Sequence, residues 1–374
     1  MRVKNNRAEE ERKSKMRISV ILGTRPEIIK FSPIIRECER LALDYFVLHT
    51  GQHYSYNMDR VFFEQLELPQ AKYNLDVGSG THAEQTGKML IGIEKVLSRE
   101  RPDIVLVEGD TNTVLAGALA ATKLGIKVGH VEAGLRSCDR EMPEETNRVL
   151  ADHCSDLLFA PTAKARENLL REGLDEHAIF LTGNTVVDAV HQNLELSKKK
   201  GNIWKKLGIK NGGYALVTVH RQENVDNETR FRGIMEGLTR MRKGLGFPVV
   251  YPIHPRAKKQ LAAFNVHTDG VDIIEPLDYL TFLQLESNAK LVLTDSGGVQ
   301  EEACVLRVPC VTLRYNTERP ETLEVGANTL AGTDPNEIVK KADLMLAKDR
   351  DWENPFGDGT VGKRIIKILR EEFA

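Results

Sequence analysis

Residues Leu293 to Ala303 read LTDSGGVQEEA. A short apolar strand delivers Ser296, Gly297 and Gly298 into the first turn of a helix, where missing side chains let anion oxygens approach free backbone N–H groups. That is a diphosphate cradle in outline. Glu302, one turn further along, is placed to accept hydrogen bonds from ribose hydroxyls, as an acidic partner does in other nucleotide folds. A turn needed for packing alone explains the glycines and leaves the coincident serine and carboxylate without a reason.

Outward from this stretch the same unit repeats. YALVTVH, FPVVYPIHP, VDIIEPL and VPCVTL accompany it in the second half, and RISVIL, DYFVLHT, DIVLVEGD, KVGHVEAG and DLLFAP occupy the first. Apolar runs bounded by glycine or aspartate and separated by longer helical patterns are the rhythm of parallel strands with crossover helices. The expected class is α/β, with two Rossmann-like doubly wound domains facing a cleft. The lysine-rich helical segment from about Asp188 to Gly213, ending in glycines, suits the connection between them. Ligands of such sheets bind beyond the carboxyl ends of the strands, so the cleft is the expected active site.

The chain has 374 residues, more than one hydrophobic core usually organises, and 41% hydrophobic residues, enough to fill two. A net charge of −2 excludes an overall electrostatic grip on nucleic acid or an anionic membrane, so an anionic ligand must be held by local cations. The five cysteines are too scattered for a zinc or redox motif, and buried reduced thiols are expected. The polar leader before Arg17 lacks an apolar signal core, and no run reaches membrane-spanning length; a cytoplasmic location and a frayed extension over residues 1–15 are expected, with Met16 a candidate start.

Four segments of the first half place chemistry at strand ends. In GTRPEIIK, Gly23 to Lys30, a helix opens at Pro26 beside Arg25 and Lys30; its free N–H groups and the two cations make an anion site, or the segment is turn chemistry with solvated cations. In VEGDTNTV, Asp110 suits an N-cap, yet its place at a carboxyl strand end aims it at the cleft. HVEAGLRS repeats the arrangement with Glu132. MPEETNRVLADH opens a helix with Glu144 and Glu145, which complement the helix dipole. Asp110, Glu132 and Glu144 fall on one rim, and crowded carboxyls raise one another's pKa into the range of acid/base work.

In the second half, VTVHRQEN sets His220 and Arg221 beyond a strand in a polar loop with Glu223 and Asn224, a ligand-facing position for His220. PIHPR carries His254 and Arg256 on a rigid loop whose function is less legible. In LRYNTERPETLEVGAN, Arg319 either grips a diphosphate in two-pronged fashion or pairs with Glu318.

GTRPEIIK, GDTNT, HVEAGLRS, PEETNR, VTVHRQEN, PLDYLTF, TDSGGVQEE and TERPE, in that order, resemble the non-hydrolysing UDP-N-acetylglucosamine 2-epimerases from Arg17 to the C-terminal helix. The resemblance implies the glycosyltransferase B-type fold, with residues 16–187 and 359–374 in a first domain carrying the sugar and the carboxylates, and residues 188–358 in a second holding UDP. By match of motif, Ser296, Gly297, Gly298 and Arg319 would contact the diphosphate and Glu302 the ribose, with uracil against the loop of Leu277 and Phe282. Arg25, Lys30, Asp110, Glu132, Glu144 and His220 would surround the sugar and leaving group. The family reaction is anti elimination of UDP to 2-acetamidoglucal and re-addition, interconverting UDP-N-acetylglucosamine and UDP-N-acetylmannosamine, with no nicotinamide or metal and no macromolecular partner beyond a homodimer. Asp110, Glu132, Glu144 and His220 are the implied catalytic set.

Similar bacterial enzymes are activated by substrate at a second site, to which Gln52 would contribute here. Glu108 stands where relatives often carry glutamine or histidine, and Cys138 replaces a bulkier residue. Three alternatives keep the same nucleotide site: an enzyme that hydrolyses the nucleotide sugar to free N-acetylmannosamine, an epimerase of a UDP-2,3-diacetamido uronate, and a UDP-sugar glycosyltransferase. A catalytically silent sensor of nucleotide sugars would differ from all of them in lacking turnover.

Overall fold

The computed structural model describes residues 16–51 and 56–374. It contains two parallel sheets. The first has seven strands, β1 (Arg17–Leu22), β2 (Asp44–His49), β3 (Tyr73–Asn74), β4 (Ile104–Glu108), β5 (Lys127–Val131), β6 (Leu157–Ala160) and β7 (Ile179–Leu181), in the order β3-β2-β1-β4-β5-β6-β7. The second has six, β8 (Ala215–Thr218), β9 (Val249–Pro252), β10 (Val271–Ile274), β11 (Leu291–Thr294), β12 (Cys310–Thr312) and β13 (Asn328–Leu330), in the order β10-β9-β8-β11-β12-β13. Counted from its own first strand, each sheet begins in the doubly wound order 3-2-1-4-5-6.

Every strand named from the sequence is present. The ones it did not disclose, β3, β7 and β13, are two or three residues long and lie at sheet edges, too short to carry a periodic pattern. One compact unit runs to Ala189 and takes up Phe356–Ala374; the other is Val190–Pro355. The segment read as a connection is ordered: Ile203 N–H donates to Gln284 at 3.0 Å, and Ile203, Trp204, Leu207 and Ile209 pack on the second sheet.

Burial on both faces explains why the strands are apolar throughout. In the second sheet Ala215, Val217, Leu291 and Leu293 pack with Phe231, Ile234 and Leu238 on one face. Tyr214, Leu216 and Val292 join Leu285 and Ala303 on the other. Strands buried twice have no solvent face on which to place polar residues, so polar chemistry moves to their ends.

Loop residues, too, are fixed by packing. Gly134, just beyond β5, has φ of 83°, and a Cβ there would stand 2.3 Å from the Ala165 carbonyl oxygen. The last helix, Val361–Glu372, starts where Asp188 accepts the N–H groups of Val361 and Gly362 at 3.1 and 3.0 Å.

Gly134→Ala combines a left-handed backbone with a collision against main chain, and is expected to cost about 2 kcal/mol or more. Urea unfolding of the variant against the parent protein measures it; a change below about 0.5 kcal/mol means the loop can shift freely.

Candidate active site

In both sheets strand order reverses between the first and fourth strands, and ligands of doubly wound sheets bind at that point, beyond the carboxyl ends. In the first sheet this brings together the turn after β1, containing Gly23 and Thr24, and the turn after β4, containing Gly109 and Asp110.

The helix Arg25–Arg40 is capped by Thr24, and Glu27 closes a capping box. Gly23 N–H and Thr24 N–H donate to Glu27 Oε2 at 2.5 and 2.8 Å, and the Thr111 hydroxyl donates to the other oxygen. Two of the turn's N–H groups thus serve the chain's own carboxylate, as the turn-chemistry reading of GTRPEIIK has it for those groups. Burial pushes Glu27 up to about 7 against these hydrogen bonds. Arg25 lies over the Phe62 ring, 5.7 Å from its centroid.

Lys30, on the same helix, points at the ends of β4 and β5. Its Nζ is 2.5 Å from Glu132 Oε1 and 3.4 Å from Glu108 Oε1. Asn184 Nδ2 donates to the same Glu132 oxygen at 2.6 Å. Glu132 is buried with φ of 67°, a left-handed conformation uncommon for a residue with a side chain. Burial drives Glu108 well above the ordinary carboxylate range; Lys30 opposes this, and the charge of Glu132 adds to it.

Asp110 is not the N-cap it resembles. Thr111 occupies that position, and the half-buried Asp110 carboxylate pairs with Arg148. Arg148 also donates to Glu145 at 2.8 Å, whose carboxylate accepts the N–H groups of Ser137 and Cys138. Glu145 is thus consumed by the structure, while Glu144, in the first turn of the helix Pro143–Cys154, stays half-exposed. Behind the turn, His130 meets an acceptor with each ring nitrogen, Asp152 Oδ1 at 2.6 Å and the Gly109 carbonyl at 2.9 Å. Burial disfavours its charge, yet Asp152 outweighs burial and raises the imidazole above its usual value, so His130 donates on both sides.

At the switch point of the second sheet stand His220, after β8, and Asp295 with Ser296, after β11. Buried Asp295 accepts from the N–H groups of His220 and Arg221 and from Asn224, and its Oδ1 is 3.3 Å from His220 Nδ1. The helix Gly297–Val305 has Ser296 as N-cap with no side-chain hydrogen bond closing it, and space beside Gly298 is open to 3.9 Å. Beside Gly297 lies Glu318, which burial would raise but Arg221, Arg319 and Arg314 hold down at about 2. Arg319 Nε lies 2.7 Å from Glu301 Oε1 and its Nη1 donates to the Glu318 main-chain carbonyl at 3.2 Å, while the Glu318 carboxylate takes Arg221 and Arg314 at 2.7 and 2.8 Å.

Glu302 accepts the Tyr279 hydroxyl at 3.0 Å, and burial, followed by the Glu302 charge, raises the fully buried Glu286 well above the ordinary carboxylate range. Leu277 and Phe282 pack half-buried on the core beside Val299. Gln52 lies outside the described residues. Among those described, no group of three His, Cys, Asp or Glu could hold a metal ion, and no helix is long and apolar enough to cross a membrane.

The sequence did not single out Asn184, Arg148, Asp295, Tyr279 or Glu286. Asp295 carried a signal, adjoining the serine and glycines after a strand, and Arg148 stands one helical turn after Glu144. Asn184 and Glu286 carried none, since their partners are distant in the chain.

Two Rossmann-ordered parallel sheets, each with charged and glycine-rich turns at its switch point, define an α/β enzyme of the glycosyltransferase B type, the class that handles nucleotide sugars. The family model for UDP-N-acetylglucosamine 2-epimerase matches residues 36–370. A UDP-N-acetylglucosamine 2-epimerase of Methanocaldococcus jannaschii is 58% identical over 361 residues, covering 95% of this chain and 99% of its own. The crystal structure of a Methanocaldococcus jannaschii UDP-GlcNAc 2-epimerase in complex with UDP-GlcNAc and UDP superposes with a TM-score of 0.87 at 57% identity, covering 95% of this chain and 100% of that one. A UDP-2,3-diacetamido-2,3-dideoxy-D-glucuronate 2-epimerase of Pseudomonas aeruginosa is 41% identical, covering 95% and 99%. The chain belongs to the UDP-N-acetylglucosamine 2-epimerase family and is an isomerase.

Because the folded value of Glu27 lies above 4.5, unfolded chains lose that proton first, and its contribution to stability falls as pH rises towards about 7. Glu27→Gln, a neutral isostere of the acid form that predominates at about pH 5, is expected to cost less than about 1 kcal/mol there and to flatten this decline. Denaturant melts between about pH 5 and about pH 8 check both parts.

Proposed function

We propose that the chain interconverts UDP-N-acetylglucosamine and UDP-N-acetylmannosamine by elimination and re-addition of UDP. A carboxylate takes the proton from carbon 2, the carbon 1–oxygen bond to UDP breaks, and the electron pair forms the double bond of 2-acetamidoglucal. Return of a proton to the opposite face of carbon 2, with UDP re-adding at carbon 1, gives the epimer. The observation that carries this reading is the buried Lys30, Glu108 and Glu132 cluster at the switch point, a proton-handling group in a chain of this family. Asp110 and Glu144 are the other acid/base candidates of the first unit.

Ser296, Gly297, Gly298 and Arg319 would receive the diphosphate, with backbone N–H groups and a guanidinium taking up the charge that grows on departing UDP. Glu302, already an acceptor for Tyr279, would take the ribose hydroxyls, and Leu277 and Phe282 the uracil. Arg25 and His220 would line the sugar and leaving group. The diacetamido uronate reading is favoured by one relative at 41% identity, and the acetylglucosamine reading by one at 58%.

Proton NMR in deuterium oxide with UDP-N-acetylglucosamine alone is expected to give UDP-N-acetylmannosamine deuterated at carbon 2. Turnover confined to the diacetamido uronate would select the other substrate. Asp110→Asn and Glu132→Gln should each lose about 100-fold or more in kcat, with the Kd for UDP, by calorimetry, within about threefold of the parent. Glu302→Ala should instead weaken UDP binding about tenfold; unchanged affinity would place the ribose elsewhere.

A further inference from the structure

Asp110 sits on a turn whose main chain is gripped from behind. Gly109, with φ of 86°, donates its N–H to the Val131 carbonyl at 3.1 Å and presents its own carbonyl to His130 Nε2 at 2.9 Å. The Asp110 carbonyl accepts from Asn147 Nδ2 at 2.9 Å. Both peptide groups flanking the Asp110 Cα are therefore held by buried side chains, His130 being 1% exposed and Asn147 6%.

Of these two, His130 can titrate. Its Nδ1 faces Asp152 Oδ1 at 2.6 Å, while Asp152 Oδ2 takes the Gly134 N–H at 3.1 Å and Arg136 Nη2 at 2.7 Å. A carbonyl only accepts, and so does a carboxylate beside a guanidinium, so the ring between them needs a proton on each nitrogen. Val107 and Leu158, beside His130 in β4 and β6, are apolar. The helix Asn112–Lys123 has its one charged residue, Lys123, exposed at the far end. Arg136, from the loop after β5, works against the ring's charge and is itself paired with Glu172 at 2.6 Å. Glu132 lies across the turn, its Oε2 3.9 Å from where a Gly109 Cβ would stand.

We propose that His130 is a positioning residue for Asp110: as an imidazolium clamped by Asp152 it donates to the Gly109 carbonyl and holds the Asp110 carboxylate in its working place. This rests on the reading that Asp110 is among the acid/base groups. When the ring loses one proton, the other stays with the stronger acceptor, the Asp152 carboxylate, and Nε2 turns a lone pair towards the Gly109 carbonyl. Burial works against the charge and Asp152 more than offsets it, so the release comes above the ordinary imidazole range. Activity carried by the held turn is thus present below that pH and falls as pH rises through it.

His130→Gln and His130→Asn separate this hydrogen bond from packing. Each removes the charge facing Asp152, but a glutamine amide reaches the place of Nε2 and an asparagine amide only that of Nδ1. Asparagine should lower kcat about tenfold or more, with KM within about threefold of the parent, and glutamine should recover most of that loss. Glutamine cannot titrate, so it should also flatten the alkaline fall of the parent's kcat. Equal kcat in the two variants, per folded molecule from denaturant melts, or an unchanged alkaline limb in His130→Gln, would overturn the proposal.

A second readout needs no turnover. Nitrogen-15 NMR of the histidine-labelled parent should show both His130 ring nitrogens protonated at about pH 7, where an ordinary imidazole is mostly neutral, the pair being assigned by its loss in His130→Gln. A singly protonated ring there also overturns the proposal. A doubly protonated ring in a parent inactive on both the acetylglucosamine and the diacetamido uronate nucleotides would instead remove the acid/base reading of Asp110, and the positioning role with it, and leave the charge of the ring standing.

Discussion

The ammonium group of Lys30 helps β4 and β5 to end in carboxyls inside the first unit. Ionised side chains lose several kcal/mol when taken out of water unless paired and hydrogen-bonded, and Lys30 stands 2.5 Å from Glu132 and 3.4 Å from Glu108. Its position follows from the helix that carries it. Thr24 and Glu27 close the first turn, the Arg25–Arg40 helix is thereby set at the end of β1, and Lys30 is delivered over the neighbouring strand ends. The arrangement of acid groups is downstream of one capping box.

The charged groups near the two switch points differ. In the first, carboxyls crowd together and burial raises Glu27 and Glu108 towards protonation. In the second, arginines surround Glu318 and hold it ionised, while the first turn of Gly297–Val305 is left without a side-chain cap. The elimination proposed for this chain would draw on both kinds of environment.

Much of this was legible in the sequence, because strands buried on both faces are read from composition and their polar ends from the residues that follow. The TDSGG stretch, the carboxylates after β4 and β5 and His220 after β8 all stand at carboxyl ends of strands, as strand alternation implied. What escaped was partnership. Nothing in GTRPEIIK announces that Glu27 folds back on Gly23 and Thr24, in competition with a ligand for those N–H groups. Nor does Asp110 reveal that Arg148, 38 residues on, takes its carboxylate in place of the helix terminus. Local motifs specify where a side chain starts, and long-range packing decides what it meets.

The chain leaves the first unit at Ala189 and returns to it at Phe356. Asp188 therefore waits for the N–H groups of Val361 and Gly362, the first of them 173 residues later, before its buried carboxylate has these partners. On a ribosome the second unit, which is continuous, can close while the first still lacks its last helix. Order of synthesis and order of completion are thus reversed, and a nascent or prematurely terminated chain would expose the flank of the Arg25–Arg40 helix that Gly362 covers at Pro33.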